Sequence, residues 1–131
     1  MVKLRSEVSA GLAIMPQKHS RLTPYGRYFW YTERLWQLVH GLPVKRVALA
    51  DLPEFDQNCW FSTTTEPTCR AVASHARRIY EADLSYPIIL SAAGHLMDGG
   101  HRVAKAWLLG LTEIQAVQFI EDPAPDYILP E

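Results

Sequence analysis

Five consecutive residues, Asp98-Gly99-Gly100-His101-Arg102, combine groups suited to holding an anion. Two glycines allow positive φ and let a ligand come close to the backbone. If a helix begins here, its first amides have no partner within the helix and carry the positive end of its dipole. A phosphate placed there meets N–H donors that are already aimed at it. Arg102 brings a planar fork for phosphate oxygens. His101 brings a donor, or a general acid or base near neutral pH. Lys105 follows one turn later, and Asp98 has the chemistry to accept a proton, bind a divalent metal or cap the helix. The same five residues also make an ordinary turn into a helix, and the pattern by itself leaves both readings open.

The elements that must position this turn are visible on either side. Ile88, Ile89 and Leu90 form a compact apolar strand, and His95-Leu96-Met97 returns from a turn at Gly94, so residues 87–97 read as a small hairpin. Val103, Ala104, Ala106, Trp107, Leu108 and Leu109 form a helix stopped by Gly110, with Trp107 on its buried side. Ile114, Ala116, Val117 and Phe119 form a closing strand.

Upstream, Thr68 is an N-cap for a helix over residues 68–82, whose apolar stripe holds Ala71, Val72, His75, Ile79 and Ala82. His75 reads as a packed histidine on that stripe. Its spacing from Arg78 offers the alternative of two donors aimed at one anion. Residues 45–49 predict a short strand, and residues 52–61 a short helical turn or loop pinned by aromatics. Thr63, Thr64, Thr65 and Thr68 serve loop and cap duty before any contact to a ribose or phosphate. His95 reads as a solvent-facing residue. Tyr28, Tyr31, Leu35, Leu38 and Val39 recur at helical spacing, with Trp30 and Trp36 beside them, and predict an aromatic helix over 27–40. Residues 1–26 read as a loose N-terminal arm and residues 121–131 as a Pro-rich tail. One domain over 27–120 remains, of the α+β class, with a small mixed sheet and flanking helices.

Composition sets the outer limits. The chain has 131 residues, 48% apolar and 21% charged, with a formal net charge of -1. That balance gives no support to a strongly basic nucleic-acid binder. Cys59 and Cys69 lack metal-ligand spacing and are expected to be buried or half-buried thiols. No run of 18 apolar residues is present, and a cytoplasmic protein is expected.

The segment Leu96-Met97-Asp98-Gly99-Gly100-His101-Arg102-Val103-Ala104-Lys105-Ala106, with the Leu109-Gly110-Leu111-Thr112-Glu113-Ile114 that follows, resembles the ParB/sulfiredoxin superfamily. Its members carry an Asp-Gly-x-His-Arg type turn, a helix ending in Leu-Gly and then a strand. Leu42-Pro43-Val44 to Leu52 is similar to their opening strand, so the resemblance spans roughly residues 42–120. It implies a ParB/sulfiredoxin-like fold that binds a nucleotide or other phosphate ligand. Gly99, Gly100, His101, Arg102 and Lys105 would hold the phosphates. Asp98 and His101 would be the catalytic groups, and ATP or CTP with Mg2+ on Asp98 the cofactor.

Sulfiredoxins place a cysteine between the second glycine and the histidine of this turn. Gly100 is followed directly by His101, so sulfiredoxin chemistry is not expected. The 131 residues leave no room for the helix-turn-helix domain of partition proteins, so DNA binding is not expected either. Phosphoryl transfer or nucleotide hydrolysis remains the implied reaction class. The alternative is a non-catalytic interaction module, with residues 28–39 as its contact face and a homodimer among its partners. A ParB-like nuclease is weaker, because Asp51, Glu54, Asp56 and Glu66 are scattered through loop-like sequence rather than clustered for metal binding.

Overall fold

The computed structural model describes residues 17–130 and has an α+β fold. Among the described residues, twelve elements are arranged as two small sheets with three α-helices and two short 3-10 turns.

The first sheet is antiparallel, in the order β1-β2-β7. It pairs β1 (Lys18–Thr23) with β2 (Gly26–Tyr31), and β2 with β7 (Tyr127–Leu129). Gly26 stands at φ 120°, and a Cβ there would lie 2.5 Å from Leu129 O. A bare backbone is what lets β7 approach.

Three expectations change here. Arg27–Tyr31 is a strand, and helix α1 covers only Thr32–Leu38. Aromatic residues suit a pleated surface, and this run alternates inward and outward, with Trp30 buried and Tyr31 exposed. Lys18–Thr23, expected within a loose arm, is a paired strand, while residues 1–16 of that arm lie outside the described residues. Residues 121–131 are not a free tail as far as they are described. Trp30 Nε1 donates to Pro123 O at 2.9 Å, Tyr31 N to Asp126 Oδ2 at 2.8 Å, and Arg34 Nη1 to Ala124 O at 2.8 Å.

The second sheet runs β3-β6-β4-β5, from β3 (Lys45–Ala48), β6 (Glu113–Gln118), β4 (Ile88–Leu90) and β5 (Leu96–Asp98). β4 and β5 form the expected antiparallel hairpin, and β6 lies parallel to β4 after the α3 crossover. Helix α3 is Gly100–Leu108. Alternating side chains bury both faces of this sheet. Ile89, Met97 and Val117 pack with Trp30, Leu35, Trp36 and Val39 on one side. Ile88, Leu90, Ile114 and Ala116 pack with Val103 and Ala106 of α3, and with Leu49 and Leu52, on the other.

Helix α2 (Cys69–Glu81) starts at Thr68, whose hydroxyl accepts from Ala71 N at 3.1 Å, as expected for the cap. It packs on α3 without burying any residue fully.

Trp30 and Trp36 are 1% and 2% exposed, so neither is available to a partner face on the surface. Trp107, expected in the core, is 59% exposed at the rim of α3, with the Phe55 ring 6.2 Å away. Cys59 and Cys69 are both exposed rather than buried. Among the described residues, no helix is long and apolar enough to cross a membrane.

Candidate functional site

The turn between β5 and α3 forms as its glycines require. Gly99 takes φ 122°, a conformation that costs other residues strain. A Cβ at Gly99 would also sit 2.5 Å from Ile88 Cγ2, against the floor of the sheet. Gly99 is the N-cap of α3 and supplies no side-chain capping bond. Its carbonyl accepts from Val103 N at 3.0 Å, so the helical ladder begins there. The amides of Gly100, His101 and Arg102 belong to the first turn, where an α-helix offers them no internal acceptor.

Arg102 does not face this opening. It is 4% exposed, and Nη2 donates to Asp98 Oδ2 at 2.9 Å. The same oxygen accepts from Trp36 Nε1 at 2.9 Å, and the guanidinium carbon lies 5.4 Å from the Trp36 ring centre. The expected phosphate fork is thus a buried ion pair that ties the turn to α1. Asp98 is engaged in the same contact through Oδ2, the oxygen that accepts from both Arg102 and Trp36. Among the described residues, no three His, Cys, Asp or Glu side chains converge on a metal position.

Lys105 is also committed elsewhere. Its Nζ donates to Tyr80 O at 2.8 Å and to Ala82 O at 2.7 Å. There it neutralises the negative end of α2 rather than reaching back along α3.

His101 is held in company the turn does not announce. Its Nε2 and His75 Nδ1 share a hydrogen bond of 2.8 Å. The two imidazoles lie within 10° of one plane, and the Trp60 indole stacks on both, with ring centres 4.6 Å from His101 and 4.8 Å from His75. Phe61 meets His75 edge-on at 5.3 Å. Burial, then the charge of Arg78 and the neighbouring His75, push His101 down to about 4. Burial and Arg78 also lower His75. Both rings are therefore neutral at pH 7, with a donor on one facing a lone pair on the other. His75 thus takes up the spacing with Arg78 seen in the sequence, but its bond is to another histidine.

Trp60 was hidden in an irregular, polar stretch, where only its size set it apart. The loop that carries it is folded on itself, since Ser62 N donates to Thr65 O at 3.1 Å and the Ser62 hydroxyl meets Thr64 and Thr65. Thr64 and Thr65 therefore serve the loop. Trp60 Nε1 lies 3.3 Å from where a Cβ on Gly100 would be, so the second glycine admits the indole.

Beside Trp60 opens a cleft of about 240 Å³, lined by Leu52, Phe55, Trp60, Leu96, Gly100 and Val103 among others. Glu54 braces its wall, with Oε1 accepting from Leu96 N and Oε2 from His95 Nδ1, both at 2.9 Å. His95, expected to face only solvent, has this second role.

Comparison of the chain with protein-family models, with curated proteins and with solved structures finds no match.

Proposed function

We propose that the protein is a ParB/sulfiredoxin-like domain that binds a nucleotide or other phosphate ligand at the start of α3. The observation that carries this reading is the first turn of α3, which lacks a side-chain cap and whose Gly100 lines the Trp60 cleft. Backbone amides of Gly100 to Arg102 would receive phosphate oxygens, and His101 would add a side-chain group. The cleft offers apolar and aromatic walls for a ring attached to the phosphate. With Asp98 held by Arg102 and Trp36, magnesium would ride on the phosphates of ATP or CTP instead of on a protein carboxylate. Phosphoryl transfer or nucleotide hydrolysis is the reaction class for such a site, with His101 the proton-transferring group.

Thermal denaturation with ATP, CTP and GTP, each with and without magnesium, tests the reading. Stabilisation by at least one nucleotide, diminished in His101→Ala, is expected. An unchanged melting temperature with every nucleotide rejects it. Arg102→Ala is a poor probe, because it dismantles the ion pair beneath the turn.

A second reading, an interaction module with a homodimer as its simplest form, finds support on a different face from residues 28–39. Trp107, Leu108, Leu109 and Leu111 are exposed together around the end of α3. Light scattering across a concentration series tests it, and a strict monomer that stays unchanged in Trp107→Ser counts against it.

A further inference from the structure

The hydrogen-bonded histidines join three separate parts of the chain. His75 belongs to α2, His101 to the first turn of α3, and Trp60 to the loop between β3 and α2. Among the described residues, the His75–His101 contact is the side-chain hydrogen bond that links the first turn of α3 to α2, and Lys105 fastens α2 further along. Indole and imidazole faces complete the junction, and the indole covers Gly100.

We propose that Trp60, His75 and His101 form a proton-operated clasp that holds α2 and the Trp60 loop against the start of α3 and governs access to it. The chemistry follows from counting protons on four ring nitrogens. In the neutral pair, one N–H faces one lone pair across the 2.8 Å contact. One added proton leaves that bond intact as a charged N–H···N contact beneath an indole face that favours a cation. A second added proton leaves no lone pair between the rings. Two N–H groups then face each other, and two positive charges adjoin Arg78.

The groups that set this titration are few. Arg78 on α2 and Arg102 on α3 oppose protonation of His101, and Asp98 at the end of β5 favours it. The loop contributes the uncharged rings of Trp60 and Phe61. The two imidazoles therefore titrate as a pair. That the clasp guards a ligand site rests on the function proposed above. The clasp itself does not, and it is read in the ligand-free protein.

The test uses Trp107→Phe, in which Trp60 is the one solvent-accessible indole among the described residues, since Trp30 and Trp36 are buried. Imidazole 15N resonances and acrylamide quenching of tryptophan fluorescence are followed from pH 7.5 to 3.5. The Trp36 indole resonance reports whether the core persists. The expected result is a joint titration of His75 and His101, with quenching rising two-fold or more as the second proton enters and the Trp36 resonance still in place. In His75→Gln and His101→Gln the quenching step is lost. Separate titrations at ordinary histidine values would overturn the proposal. So would constant quenching through full protonation, or a step that appears only as the Trp36 resonance vanishes. Failure of nucleotides to bind would leave these readouts untouched, so the two proposals fail separately.

Discussion

Asp98, at the end of β5, and Arg102, in the first turn of α3, meet at 2.9 Å beneath the glycine turn, with Trp36 donating to the same carboxylate oxygen. The residue best suited by type to grip a phosphate is instead what anchors the phosphate-suited turn to the core. Removing either partner strands the other in a poorly solvated place. Asp98→Ala and Arg102→Ala are each expected to cost about 3–5 kcal/mol, read from urea unfolding midpoints. A double replacement that costs as much as the two singles summed would show that the pair is not coupled.

The two glycines should respond differently to the same added methyl. Gly99→Ala meets both a positive φ and the Ile88 side chain, and a loss of order 2–4 kcal/mol is expected. Gly100→Ala meets only the edge of Trp60, so a small stability change with an altered Trp60 environment is expected. Chemical denaturation and near-ultraviolet circular dichroism together separate the two cases. Equal losses would mean that the turn does not distinguish them.

Lys105→Met should loosen the far end of α2. Two carbonyls lose a charged donor, at a cost of about 1 kcal/mol. Hydrogen exchange is expected to quicken at Ile79 to Ala82 while the first turn of α3 keeps its protection. Unchanged exchange at those amides would show that water serves the carbonyls as well.

Acid should weaken the fold before its carboxylates titrate fully. His19, stacked on Trp30, is held down to about 4, chiefly by burial and then by Arg21, and His101 is held down to the same range. The unfolded chain takes up these protons near 6.5, where the folded chain does not. Stability is therefore unaffected by these groups above that value, falls as pH drops from about 6.5 towards 4, and levels off in their contribution below it. Urea midpoints at pH 7.5, 6.5, 5.5 and 5.0 check this, and His19→Gln should flatten part of the slope.

The hairpin, the glycine turn, α3 and β6 were legible because each carries a local signal. Apolar triplets, paired glycines and Gly110 mark boundaries without help from elsewhere. Thr68 marked the start of α2 for the same reason. The strand at Arg27–Tyr31 was not legible. Its aromatics fall at spacings that also fit a helix, and its neighbours in the sheet come from segments with no strong pattern. The anion-suited turn was visible, but the direction of its side chains was not. Nothing local says that Arg102 points inward, or that Lys105 reaches two carbonyls more than 20 positions away. Trp60 and His75 join the site only through packing of α2 and its preceding loop on α3.

The first sheet carries a consequence for how the chain acquires its structure. Trp30 finds its hydrogen-bond acceptor 93 positions later, at Pro123, and β2 finds its second neighbour later still. A growing polypeptide can close the hairpin of β1 and β2 early, yet it must keep one side of that hairpin and the Trp30 indole unsatisfied until residues 122–129 emerge. Loop closure of that span precedes its reward, which places this step among the slow ones. The second sheet draws three of its four strands from residues 88–118 and can assemble sooner. Folding should therefore proceed from the half that carries the glycine turn outward, with the strap of residues 122–129 sealing the molecule last.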